Sequence, residues 1–153
     1  GIVSVSSFSE KLLFISGTDS CGEDISAWFM YKGGKIRSLG TTEGSIESGT
    51  LRIESDGTIF TCAKSEYFCN LYYEREYVIH RNEMVAIHRW LYPFIIPGSE
   101  DECYYFKTVM DYGFFEDADL ESERVDFPEG TEVTFLRTTE TGWIEVEIED
   151  EDV

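Results

Sequence analysis

The sequence predicts an all-β protein, an antiparallel hairpin sheet followed by a small β-barrel. Three observations predict it. Helix formers are scarce, with four alanines and eight leucines in 153 residues, while Ile, Val, Thr, Tyr and Phe are abundant. No long stretch holds a 3.6-residue apolar period. Short apolar runs are separated by dipeptides suited to tight turns.

The elements follow in chain order. Lys11-Leu12-Leu13-Phe14-Ile15-Ser16 reads as a strand. A first hairpin runs from Ala27 to Lys32, turns at Gly33-Gly34 and returns from Lys35 to Leu39. Both glycines supply the positive φ of a two-residue turn. A second runs from Leu51 to Ser55, turns at Asp56-Gly57 and returns from Thr58 to Cys62. A two-residue loop there sets Ile53 opposite Phe60, Leu51 opposite Cys62 and Arg52 opposite Thr61. A third runs from Tyr72 to His80, turns at Arg81-Asn82 and returns from Glu83 to Trp90. Its return strand is apolar on both faces, which predicts cover on both sides. Most aromatic side chains are expected in the core, Trp28 and Trp90 among them. The first and third hairpins, about 49 residues apart, resemble a propeller-blade repeat, although fewer than two such units fit the chain.

Charge divides the chain. Residues 1–99 carry 12 acids and 9 bases, net −3; residues 100–153 carry 19 acids and 3 bases, net −16. That asymmetry predicts two units. The seam falls at Pro93-Phe94-Ile95-Ile96-Pro97-Gly98-Ser99-Glu100-Asp101-Glu102, a packed connector because Phe94-Ile95-Ile96 is apolar. The predicted units are 1–98, the hairpin domain, and 99–153, the acidic small barrel. A net charge of −19 excludes a general nucleic-acid binder and disfavours an anionic lipid surface. The densest apolar patch, Leu91 to Ile96, is far short of a transmembrane segment.

The chain begins at Gly1 without methionine. That fits a protein whose upstream segment has been removed, or an excised domain. The first alternative predicts an extracellular or cell-envelope location. Cys21, Cys62, Cys69 and Cys103 form no Cys-x-x-Cys motif, so a zinc ribbon or redox dithiol has no support. Cys62 and Cys69 are close enough to bridge neighbouring strands; four buried free thiols are the alternative.

In the acidic half, Phe127-Pro128-Glu129-Gly130-Thr131-Glu132-Val133-Thr134-Phe135-Leu136 precedes Thr141-Gly142-Trp143-Ile144-Glu145-Val146. A Gly-Thr-x-Val strand followed by Gly-Trp-x-x-Val resembles the middle of bacterial Src-homology-three-like domains of cell-wall and surface proteins. The family's arginine-containing ligand loop is replaced by Phe114-Phe115-Glu116-Asp117-Ala118-Asp119, and its closing Gly-Trp-Val is absent. By strand parity Ile144, Val146 and Ile148 form an inward row, with Trp143 outward beside Glu145, Glu147 and Glu149. The resemblance implies that Trp143 borders a peptide- or glycan-binding groove, with Tyr112, Phe114 and Phe115 as its other wall. The plainer alternative is that Trp143 covers a barrel end.

Catalytic chemistry finds little support. Under the third hairpin's register His80 and His88 lie roughly 17 Å apart, which excludes a shared zinc site. No nucleophile motif, zinc-protease motif or phosphate-binding glycine loop occurs. Glu116-Asp117-Ala118-Asp119-Leu120-Glu121 has calcium-type ligands without the full loop. No cofactor or metal site is therefore expected. The leading expectation is a non-catalytic bacterial binding module for a protein, peptide or glycan. The first rival is an acidic inhibitor or immunity protein that captures a basic enzyme. A hydrolase using paired carboxylates is the weaker rival.

Overall fold

The structure, a computed structural model, describes residues 2–3, 11–68, 70–99 and 102–148. They are all-β and antiparallel throughout, as expected. Four strands make the first sheet in chain order: β1 (Ile2–Val3), β2 (Lys11–Thr18), β3 (Asp24–Lys32) and β4 (Lys35–Glu43). The second sheet contains β5 (Leu51–Ile53), β6 (Ile59–Lys64), β7 (Tyr72–His80), β8 (Glu83–Ala86), β9 (Tyr92–Ile95), β10 (Tyr104–Lys107), β13 (Glu132–Thr138) and β14 (Ile144–Ile148). Its order is β10-β13-β9-β7-β6-β5, with β14 on β13 and β8 on β7. A separate ribbon pairs β11 (Tyr112–Phe115) with β12 (Arg124–Phe127).

The main core lies between the first sheet and the β5–β8 part of the second. Leu12, Phe14, Trp28, Met30 and Leu39 meet Leu51, Ile59 and Tyr77. Alternation on β2 and β3 supplies the first four. Leu39 arrives differently: a register shift between Trp28 and Phe29 leaves it as the extra residue of a bulge and aims it inward. Trp28 is fully buried, and its indole N–H donates to Thr42 Oγ1 at 2.9 Å, so its polar atom is satisfied.

The first and third turns form as the sequence predicts. Gly33 and Gly34 close Lys32 against Lys35, with φ of 57° and 77°. Arg81 and Asn82 close His80 against Glu83, with φ of 50° and 65°. The second register is corrected by one residue: Leu51 faces Thr61, Arg52 faces Phe60 and Ile53 faces Ile59. The loop is longer than two residues because Glu54 and Thr58 still share a backbone bond of 2.8 Å. The Asp56 carboxylate accepts the Thr58 N–H at 2.9 Å, and Gly57 takes the left-handed position. Ile59 and Thr61 therefore turn inward, while Phe60 and Cys62 lie on the opposite face, with Arg52 over the Phe60 ring.

The core position expected for Trp90 is also corrected. β8 ends at Ala86, and Trp90 is 69% exposed. The chain turns because the Arg89 N–H donates to the Tyr92 hydroxyl at 3.0 Å and the Arg89 guanidinium pairs with Glu76. That turn buries Tyr92 instead. The expected packed connector is the strand β9, which pairs with β7 through Tyr72–Ile95 and Tyr73–Phe94 and with β13 through Pro93–Arg137 and Tyr92–Thr138. Strands from both sides of residue 99 thus share one sheet. Among the described residues β11 and β12 pair only with each other, and no closed barrel forms.

Cys21, Cys62 and Cys103 carry free thiols. Cys69, the partner considered for Cys62, lies outside the described residues. Burial, and then the nearby Glu74 charge, push the Cys62 thiol up to about 11. The fold favours the neutral thiol, so this contribution is full below pH ~9 and is lost as pH rises toward 11. At pH ~8 iodoacetamide should label exposed Cys21 and Cys103 first, with Cys62 about a hundredfold slower; mass spectrometry of the peptides reads the order. A second test concerns Gly44. Its φ is 85°, and a Cβ there would collide with the Thr50 carbonyl. Gly44→Ala should cost about 1–3 kcal/mol in denaturant melts. Gly17→Ala, with open space and ordinary φ, should change little.

Candidate functional site

The candidate site is built from the second sheet and the β11–β12 ribbon. β10 and β14 flank β13 through Phe106–Val133, Tyr104–Phe135 and Val146–Phe135. These place Phe106, Val133, Phe135 and Val146 on one face. Phe135 is the hub of that wall: its ring lies 4.4 Å from Phe106, 6.0 Å from Phe94 and 6.3 Å from Phe68. Between this wall and the ribbon lies a cavity of about 710 Å³.

All four residues selected from sequence line that cavity: Tyr112, Phe114, Phe115 and Trp143. Phe115 meets Trp143 edge to face, with centroids 5.9 Å apart and planes at 84°. Tyr112 packs on Phe114 at 5.4 Å, and Phe114 on Phe127 at 5.6 Å. Trp143, Phe114 and Phe115 are half-buried, whereas Tyr112 is 56% exposed at the rim. Sequence reasoning missed Phe68, Trp90, Phe106 and Phe135, which line the same space from other strands and loops. Ile144 and Val146, the row expected to point inward, line the cavity along with Trp143 and Glu145, so the cavity reaches the start of β14 and is not confined to the outward row.

Trp143 is held by the turn before β14. The Thr139 N–H donates to the Trp143 carbonyl at 2.9 Å, and the Trp143 N–H donates to Thr139 Oγ1 at 3.0 Å. Gly142 takes φ of 91°, and the Tyr67 ring occupies the side where a Cβ would project. Glu140 ties this turn to the N-terminal strands. Its Oε1 accepts the buried Tyr92 hydroxyl at 3.0 Å and stands 3.7 Å from both Arg75 Nη2 and His88 Nδ1. Arg75 continues the network, donating to the Tyr73 hydroxyl at 2.6 Å and pairing with Glu43 at 3.6 Å. Glu43 also accepts from Thr61 and Tyr77. Burial, then the Glu43 charge, hold the Tyr77 hydroxyl far above the usual tyrosine range, so it remains a donor.

The electrostatics of the rim are one-sided. Glu116, Asp117 and Glu145 line the cavity with Lys107 and Arg137. Both bases are already paired, Lys107 with Glu132 at 3.1 Å and Arg137 with Glu145 at 2.6 Å. Arg124, the remaining base of this half, pairs with Asp126 at 3.0 Å across Gly113. Residues 117–122 fold into a turn in which Asp119 accepts the Glu121 N–H and Ser122 bonds the Asp117 and Asp119 carbonyls. Among the described residues no three His, Cys, Asp or Glu side chains are grouped to hold a metal ion. His88 is largely exposed and His80 sits at the tip of the third hairpin. Comparison with protein-family models, curated proteins and solved structures gives no match.

Tyr92 is the joint on which Trp143 depends, since its hydroxyl both accepts from Arg89 and donates to Glu140. Tyr92→Phe should cost about 0.5–1.5 kcal/mol, the net range for a hydrogen bond whose partners, on Arg89 and Glu140, reach water. Thermal melts read the loss. In a Trp28→Phe, Trp90→Phe background, Trp143 emission should move to the red as the turn loosens.

Proposed function

We propose that the chain is a non-catalytic binding module whose ligand places an apolar group in the aromatic cavity between the β11–β12 ribbon and β14. The observation that carries this reading is the convergence of Trp143, Phe115, Phe114 and Tyr112 with Phe106 and Phe135 around one cavity of about 710 Å³. That size falls among ordinary ligand pockets of roughly 300–1,000 Å³. Half-exposed aromatics are the residues that gain most from being covered by a partner. The likeness of the C-terminal half to Src-homology-three-like domains supports the same reading, with β11–β12 and β13–β14 as walls of a small open barrel. On this reading the ligand is a protein, peptide or glycan, and the module works at a bacterial cell surface.

One observation favours a second reading. Residues 100–153 hold 19 acids and 3 bases, and Lys107, Arg124 and Arg137 are each paired with an acid. A surplus that large suits fast capture of a basic protein, as an inhibitor or immunity protein requires.

The cavity reading is tested with a small aromatic probe, indole or anilinonaphthalene sulfonate. Wild-type protein should bind it in a calorimetric titration. Trp143→Ala and Phe115→Ala should weaken binding by about tenfold or more at an unchanged fold, the usual size for a central aromatic contact. Ile36→Ser, on an exposed strand far along the chain, serves as the neutral control. Equal binding by all three variants would reject the cavity as a site.

A further inference from the structure

We infer that the outer edge of β14 receives an extended, basic peptide segment as an added strand, with alternate side chains of that segment entering the aromatic cavity. This rests on the reading of the cavity as a binding site and specifies what fills it.

The first support is the state of the edge. Among the described residues β14 pairs with β13 alone, so one row of its backbone N–H and C=O groups has no strand opposite. Sheet edges are ordinarily guarded by charged side chains, lysine above all, or by proline, a bulge or cover. β14 reads Ile-Glu-Val-Glu-Ile, with neither lysine nor proline, and its register shift sits at Phe135/Arg137, on its partner. Its only charges are glutamates, which repel a like edge and leave it open to strand addition by a basic one.

The second support is the shape of the cavity. Side chains on a strand alternate between faces, so a cavity on one face meets every second residue. This cavity meets five consecutive residues, Gly142 to Val146, the last three of them in β14. It therefore reaches the backbone at the start of β14 as well as the side chains beneath it. On the far side it meets Tyr112 to Ala118 consecutively, and among the described residues β11 pairs only with β12. Two open edges flank one space lined by aromatic rings.

Charge chooses the occupant. The rim acids Glu116 and Asp117 and the exposed Glu147 of β14 face an incoming chain, while Lys107 and Arg137 are engaged in ion pairs. Lysine or arginine at the outward positions of an added strand would stand beside Glu147, whereas Glu145 is already held by Arg137. A second copy of this chain is disfavoured at the same place, because pairing β14 antiparallel with itself sets Glu147 against Glu145. A glycan gains nothing from an open backbone edge.

The test uses the whole chain and three synthetic peptides of about seven residues. One alternates lysine with valine and phenylalanine, one carries the same sequence with alternate amides N-methylated, and one replaces lysine by glutamate. The lysine peptide should bind in a calorimetric titration and slow hydrogen exchange at the β14 amides. N-methylation should weaken binding by about tenfold or more, and so should Glu147→Lys, an exposed change outside the cavity lining. Raising salt from about 50 to 500 mM should also weaken it. Equal binding of the N-methylated peptide, equal binding of the glutamate peptide, or unprotected β14 amides would overturn strand addition. Concentration-dependent dimers protecting the same amides would overturn the choice of occupant. If indole fills the cavity and no peptide binds, only this inference fails. If neither indole nor any peptide binds, the cavity reading fails with it.

Discussion

Among the described residues, β10 and β14 reach the second sheet through one strand, β13. Its first half pairs with β10 and its last two residues pair with Pro93 and Tyr92 of β9, both on the same edge. Its other edge carries β14. The register shift between Phe135 and Arg137 lets one strand serve these neighbours. Ahead of the shift Phe135 faces the cavity wall; beyond it Arg137 comes opposite Glu145 and ion-pairs with it. Detach β13 and the acidic half has no sheet to join, because the ribbon β11–β12 pairs with nothing else described.

Local chemistry was legible and long-range pairing was not. Gly33-Gly34 and Arg81-Asn82 adopt positive φ at both turn positions and set their registers as the sequence implies. Asp56-Gly57 misled by one residue. A two-residue and a three-residue loop use the same dipeptide, and the Asp56 bond to the Thr58 N–H decides between them. Trp90 misled for another reason. Its apolar neighbours suggested a covered strand, but the Tyr92 hydroxyl captures the Arg89 N–H and swings the chain out. No periodicity announces that bond. The charge seam at residues 98–99 is real in composition, yet the hydrogen bonds of β9 to β13 cross it. Charge patterns report surface, and backbone pairing ignores them.

The candidate site divides in the same way. Trp143 and the Tyr112–Phe115 segment were visible because they cluster in short motifs. Their convergence on one cavity needed the fold. Phe106 and Phe135 are separated by the whole β11–β12 ribbon in sequence, and Phe68 and Trp90 come from the other half of the chain. The support for Trp143 was equally hidden, since Glu140 finds Tyr92 and Arg75 only once β9 lies beside β13. A signal did exist at Gly142. Glycine directly before an aromatic, in a turn rich in threonine, marks a place where backbone conformation fixes a ring.

The distribution of core and charge gives the acidic half its character. The buried side chains of the main core lie among residues 12–77, and among the described residues beyond 99 the buried apolar side chain is Val133. The half with the thinner core also bears nearly all the net charge. The ion pairs of its three bases are partly solvent-exposed, and such pairs add about 0–1 kcal/mol each, too little to offset crowded carboxylates. Neither the open cavity nor the acid surplus serves the stability of the isolated chain. Both would be relieved by the same event, an apolar and basic partner that fills the one and neutralises the other. Binding of that kind acts on the folding equilibrium by mass action, so affinity and the stability of the β10–β14 region rise together. On the proposed reading, the half that is least finished as a fold is the half that a ligand would complete.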